Sequence, residues 1–241
     1  MILKEDNILF EDGHIIVCHK PSGIATQTAK LGQQDMESCI KNYLKISYIG
    51  VVHRLDQPVE GILVFGKTKE AAAKLSAQSM EKRYYAVALA DSDMTKMHMK
   101  DYTKAEITLV DYLIKNGRDN TSRISEKSDK DAKRAELMYR ILKVSEKDMG
   151  SGNVRMLAEV ILKTGRHHQI RVQLAHAGLP LLGDMKYGSE ASMQKSLENN
   201  VKNVALCAYS LTFIHPATGK SMSFSIVPNG EVFQPFLPVT P

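Results

Sequence analysis

Apolar runs bounded by turn-forming residues recur along the chain at 14–18, 61–66, 84–90, 135–144, 154–162, 206–214 and 222–227, and they read as strands. The first is followed by Lys20-Pro21-Ser22-Gly23, where proline and glycine break an extended run. Helical spacing is rarer. It predicts helices over 37–45, over the alanine-rich 69–78, and over 166–177, where Ile170, Leu174 and Ala177 fall at i, i+4 and i+7 and Gly178 stands as the stop. Strands that succeed one another with few helices between them imply an α+β fold, a mainly antiparallel mixed β-sheet with flanking helices and loops. The stretch 115–134 is rich in Asn, Ser, Asp, Lys and Arg and has no apolar period, so it reads as an exposed, mobile loop. No internal repeat or linker composition divides 1–241, which reads as a single domain.

Composition narrows the class. At 241 residues and 43% hydrophobic, the chain can bury a substantial core, which excludes disorder as a whole. Cys18, Cys39 and Cys207 are odd in number, widely spaced and free of a CxxC pair, which fits a reducing cytosol and argues against a zinc or redox site. No apolar run approaches the roughly 20 residues of a membrane span, and the start lacks a signal peptide's apolar core, so a cytoplasmic location away from the membrane is expected. A net charge of +5 permits a nucleic-acid partner without demanding one.

One motif points elsewhere. Gly61-Ile62-Leu63-Val64-Phe65-Gly66-Lys67-Thr68 satisfies the phosphate-loop pattern GxxxxGK[ST] and precedes a helical stretch. A phosphate loop must bend so that backbone N–H groups surround the anion, whereas Ile-Leu-Val-Phe prefers an extended, buried strand. No apolar strand feeds the loop either, so a triphosphatase is disfavoured.

Two polar segments carry candidate chemistry. Val52-His53-Arg54-Leu55-Asp56-Gln57-Pro58-Val59-Glu60-Gly61 places a carboxylate in a turn just before the apolar run, where it can reach a cleft or simply pair with Arg54 in solvent. Thr164-Gly165-Arg166-His167-His168-Gln169-Ile170-Arg171 follows the 154–162 run, and on a helix His167 and Arg171 share a face at i, i+4. The histidines, with His53 and His176, lack HExxH or comparable spacing, so no metal is expected.

Taken together and in order, these segments resemble the RluA-type pseudouridine synthases. The likeness begins with Phe10-Glu11-Asp12-Gly13-His14-Ile15-Ile16-Val17 and the KPxG-like Lys20-Pro21-Ser22-Gly23. It continues through His53-Arg54-Leu55-Asp56, similar to HRLD, Lys82-Arg83-Tyr84-Tyr85-Ala86, similar to KxYxA, and Gly165-Arg166 with His168-Gln169-Ile170-Arg171. Leu181-Leu182-Gly183-Asp184, Tyr187-Gly188, Leu206-Cys207-Ala208, Phe213, His215-Pro216 and Gly219 complete it. Departures are modest: Val59-Glu60 stands for the usual Thr-Ser, Gly66 for alanine and Cys207 for histidine.

The resemblance implies the pseudouridine synthase catalytic fold and isomerisation of uridine to pseudouridine in structured ribosomal or transfer RNA, with no cofactor and no metal. It gives Asp56 the catalytic role, Tyr84 ring stacking and proton handling, and Arg171 the role of cationic partner to the carboxylate. Lys20, Arg54, Arg166 and His168 are expected to line the RNA. A monomer without a small N-terminal RNA-binding module is expected. An RNA-binding or chaperone-like protein with lost isomerase activity is the competing class, and altered Asp56, Tyr84 or Arg171 would favour it; none is altered.

Overall fold

The computed structural model describes residues 5–28, 32–91, 105–145 and 153–238. They group into two compact units, Met1–Lys82 with Cys207–Pro228, and Arg83–Leu206 with Asn229–Pro241. In chain order the strands are β1 (Ile8–Glu11), β2 (Ile15–Lys20), β3 (Gly50–Val51), β4 (Glu60–Gly66), β5 (Glu81–Asp91), β6 (Ile107–Asn116), β7 (Thr121–Ser125), β8 (Lys133–Val144), β9 (Asn153–Leu162), β10 (Leu206–Ile214) and β11 (Ser221–Ser225). The helices are α1 (Met36–Leu44), α2 (Lys69–Ala77), α3 (Gln169–His176) and α4 (Glu190–Glu198).

In the first unit β2 pairs antiparallel with β1 and β4, β3 pairs antiparallel with β4, and β11 with β10. The exception is β4 with β10, which run parallel through Cys207↔Glu60 and Ala208↔Gly61. All residues of β2 and β4 are buried, which explains why these strands read as continuous rather than alternating apolar runs. Residues i and i+2 share a face, so Ile15 and Val17 of β2 meet Ile62 and Val64 of β4, and Leu75, Leu211 and Phe213 close the cluster.

The phosphate-loop look-alike is thereby explained. Its four middle residues are the buried interior of β4, and its glycines serve close packing. A Cβ on Gly61, at φ +146°, would lie 2.5 Å from the Ala208 Cβ, and one on Gly66 would lie 2.5 Å from the Ala72 nitrogen at the start of α2. Thr68 caps α2 by accepting from the Ala71 N–H, and the Lys67 ammonium binds Glu11 and the Asp12 carbonyl.

The second unit is an antiparallel sheet in the order β5-β9-β8-β6-β7. Along β8, Ala135, Leu137, Tyr139 and Ile141 are buried while their neighbours are more open, the period-2 pattern of a half-covered sheet. Against expectation, 115–134 is not a structureless loop: it holds the end of β6, a turn, all of β7 and the start of β8. Hydrogen-bonded register, Lys115↔Ser122 and Leu113↔Ile124, carries this polar hairpin, whose Ile124 packs beside Leu113, Ala135 and Val172. α3 begins three residues later than the apolar spacing predicts, because His168 adopts a left-handed conformation at φ 53° and serves as the N-cap position.

Candidate active site

In the first unit the turn carrying Asp56 is clasped on both sides. The buried Thr26 hydroxyl accepts from the Leu55 N–H (3.1 Å) and donates to the Leu55 carbonyl (3.0 Å). On the other flank the Gln57 carbonyl accepts from the Gly23 N–H (2.9 Å) and the Lys20 ammonium (3.2 Å), while the Gln57 amide donates to the Gly23 carbonyl. The Val59 N–H closes the turn on the Asp56 carbonyl (3.0 Å). Asp56 itself is half-buried. Upstream, His53 Nε2 accepts from the Val64 N–H of β4 (3.2 Å), and burial pulls the ring's pKa down to about 3, so this histidine is neutral and anchors the turn to its strand.

Lys20, expected to line RNA, is instead fully buried. Its three ammonium donors go to the carbonyls of Pro21 (3.0 Å), Ile24 (2.6 Å) and Gln57. Burial lowers its pKa to about 8, against an upward pull from Asp56 and Glu60. The KPxG-like lysine therefore ties two turns together and puts a positive charge near Asp56; a phosphate cannot reach it. Arg54 is exposed, and its guanidinium donates to Gln27 Oε1 (2.7 Å).

In the second unit Arg171 sits on α3, 4% exposed, and donates from Nε and Nη2 to the two oxygens of Asp184, both at 2.7 Å. The Asp184 carboxylate also accepts from the N–H groups of Lys186 (3.0 Å) and Tyr187 (3.2 Å). The guanidinium carbon lies 5.0 Å over the Tyr187 ring centroid. Tyr187 Oη accepts from the Ser122 N–H (2.7 Å) and shares a hydrogen bond with His168 Nδ1 (2.7 Å). Burial, followed by the charge of Arg171, pushes the His168 pKa down to about 3, so the ring is neutral. His168 was expected among cations facing RNA; it is a buried, neutral ring stacked 3.7 Å from His167.

Arg166 is exposed, with Nε bonded to the Arg134 carbonyl (2.9 Å). Tyr84 lies on β5 opposite Val160, 6% exposed. The structure thus gathers Lys20, Arg54 and Asp56 around one turn, and Arg166, His168 and Arg171 at the start of α3. Sequence reasoning assigned no role to Thr26, Asp184, Tyr187 or Ser122. Asp184 and Tyr187 stood inside matched motifs, and an acid thirteen residues beyond a buried arginine was the available signal.

A family model described as RNA pseudouridylate synthase matches residues 14–176. The ribosomal large subunit pseudouridine synthase C of Buchnera aphidicola is 30% identical over 96% of this chain and 70% of its own length. The tRNA pseudouridine synthase C of Vibrio cholerae is 27% identical over 88% of this chain and 86% of its own. Among solved structures, human RNA pseudouridylate synthase domain containing 1 superposes with a TM-score of 0.70 at 19% identity, covering 92% of this chain and 83% of that one. The fold and the ordered motifs agree with these matches: the chain belongs to the RNA pseudouridylate synthase family, isomerases that convert uridine to pseudouridine in RNA.

Proposed function

We propose that Asp56 is the catalytic carboxylate of this chain and that its substrate is a uridine in ribosomal or transfer RNA. The observation that carries this reading is the double clasp: Thr26 fixes Leu55 and Lys20 with Gly23 fixes Gln57, so a half-buried carboxylate is held between two immobilised neighbours. The C1′–N1 bond of uridine breaks, assisted by Asp56 either attacking C1′ or taking the C2′ proton. The uracil turns in place, C5 bonds to C1′, and the C5 proton leaves to solvent while N1 gains one. Electrons balance without a redox partner, and a single carboxylate suffices because no water has to be activated. The Lys20 ammonium beside the turn favours the ionised acid. In this reading Tyr84 has the ring-stacking role and Arg171, oriented by Asp184, the cationic one. The target base must leave its stack to be reached.

RNA labelled with tritium at uracil C5 tests the assignment. Wild type should release label to water, and Asp56→Asn, which keeps size and loses charge, should fold and bind RNA normally yet release none. Release by well-folded Asp56→Asn near the wild-type rate removes Asp56 from the mechanism.

A further inference from the structure

The hairpin that replaces the expected loop at 115–134 builds a feature of its own within the second unit. Directly paired residues of an antiparallel sheet project from the same face, so the pairs Lys115↔Ser122 and Leu113↔Lys133 put all four side chains on one side. The segment 165–167 walls the opposite side. His167 is pinned there through Nδ1 to Ser122 Oγ (2.9 Å) and through Nε2 to Asn120 Oδ1 (3.1 Å), and the Arg166 N–H is held by Gln169 Oε1 (2.9 Å). Between them runs a groove of about 390 Å³, within the roughly 300–1,000 Å³ range of small-ligand sites. Lys115, Lys133 and Arg166 line it, against one acid, Asp131, while Leu113 supplies an apolar floor. Among the described residues no carboxylate forms an ion pair with any of the three cations.

We propose that this groove binds two consecutive phosphates of a single RNA strand flanking the target uridine. The proposal rests on the pseudouridine synthase reading for the identity of the polyanion. Three exposed, uncompensated cations over an open trough suit a phosphodiester chain. An enclosed, fully hydrogen-bonded cage would instead suit a free anion. Lys115 and Lys133 sit on diagonal positions, about 7–8 Å apart in such a ladder, a separation matching neighbouring phosphates along a strand. The apolar floor offers a seat for a ribose or base face. The rigid 165–167 wall leads directly into α3, so a strand seated here is registered on the helix that carries Arg171.

The test compares wild type, Lys115→Gln/Lys133→Gln, and a charge-matched control, Lys202→Gln/Lys220→Gln, on a labelled single-stranded oligoribonucleotide over a salt series. Each strand phosphate contributes about −0.7 to the log-log slope, which at roughly 0.1 M salt is about fivefold in affinity. The groove variant should therefore weaken binding about 25-fold and flatten the slope by about 1.4, with the loss in turnover assays falling on KM. The control should change neither by half as much, and unfolding midpoints should be unaltered. Equal losses in control and groove variants, or an unchanged slope in the groove variant, overturn the proposal. Competition by uridine monophosphate as strong as by the strand overturns it in favour of a mononucleotide site, and capture of polyglutamate in preference to RNA overturns it in favour of an acidic protein. If wild type makes no pseudouridine while the groove variant still loses slope, the groove stands and the functional reading fails.

Discussion

Asp184→Asn isolates what the buried pair at Arg171 contributes. Both side chains are almost inaccessible, at 4% and 1% exposure. Asparagine keeps an acceptor for the N–H groups of Lys186 and Tyr187, but its amide must face a guanidinium donor, and the buried positive charge loses its counter-charge. Breaking a buried pair from one side costs about 3–5 kcal/mol. At roughly 2–4 °C per kcal/mol for a chain of this size, the unfolding midpoint should fall by about 6–20 °C. Arg171→Met should cost a similar amount by stranding Asp184. Combining the two removes both charges, and most of the lost stability should return, since apolar or neutral replacements of a buried pair are often tolerated. Turnover separates the roles. If the guanidinium serves the reaction, the double variant regains its fold and stays inactive; if the pair is only a strut, tritium release returns with the midpoint. A midpoint for Asp184→Asn within about 2 °C of wild type would refute the energetic reasoning at its base.

Other outcomes follow from smaller contacts. Thr26→Val removes a hydroxyl that satisfies two buried backbone groups of Leu55, so it should cost about 2–4 kcal/mol and lower kcat more than it raises KM; unchanged kcat in folded protein would sever Thr26 from the placement of Asp56. His53 and His168 have folded pKa values near 3, below the unfolded 6.5. The unfolded chain therefore binds protons the folded one refuses, and stability declines as pH falls from about 6.5 toward 3, by at most about 1.4 kcal/mol per pH unit per histidine. Ring resonances of both that titrate near 6.5 in the native protein would contradict this. Gly61→Ala combines a disfavoured φ with a Cβ driven into Ala208, and should destabilise by about 2–5 kcal/mol without creating or abolishing nucleotide affinity; saturable binding of labelled ATP by wild type would reopen the phosphate-loop assignment.

Where one physical signal dominated, the sequence was legible. Continuous apolar runs announced β2 and β4 because both of their faces are covered, and the Pro- and Gly-broken polar stretch before β4 announced the turn that carries Asp56. β7 was illegible because Thr121–Ser125 has little apolar character and owes its extension to the ladder with β6, a partner that no local pattern records. The start of α3 was misplaced by the left-handed His168, a backbone state that no apolar spacing records. Lys20 illustrates the same limit in charge: a lysine beside a Pro-Ser-Gly turn reads as a surface cation until three carbonyls converge on it. The pairing of Arg171 with Asp184 likewise belongs to tertiary structure, and assigning the arginine to Asp56 alone left its buried carboxylate without a role.

The parallel seam between β4 and β10 sets a clock on biosynthesis. β4 is complete by Gly66, but its parallel neighbour begins only at Leu206. At roughly 5–20 residues per second, a ribosome needs on the order of 7–30 s to supply that partner strand. Throughout that interval Glu60 and Gly61 keep an unfilled ladder edge, and the adjoining apolar, β-prone Ile62-Leu63-Val64-Phe65 lacks the cover of Leu211 and Phe213, the kind of segment that pairs with other nascent chains. Chaperone engagement of this protein should accordingly concentrate on ribosome-bound chains between these two lengths, and end when Cys207 and Ala208 dock beside Glu60 and Gly61.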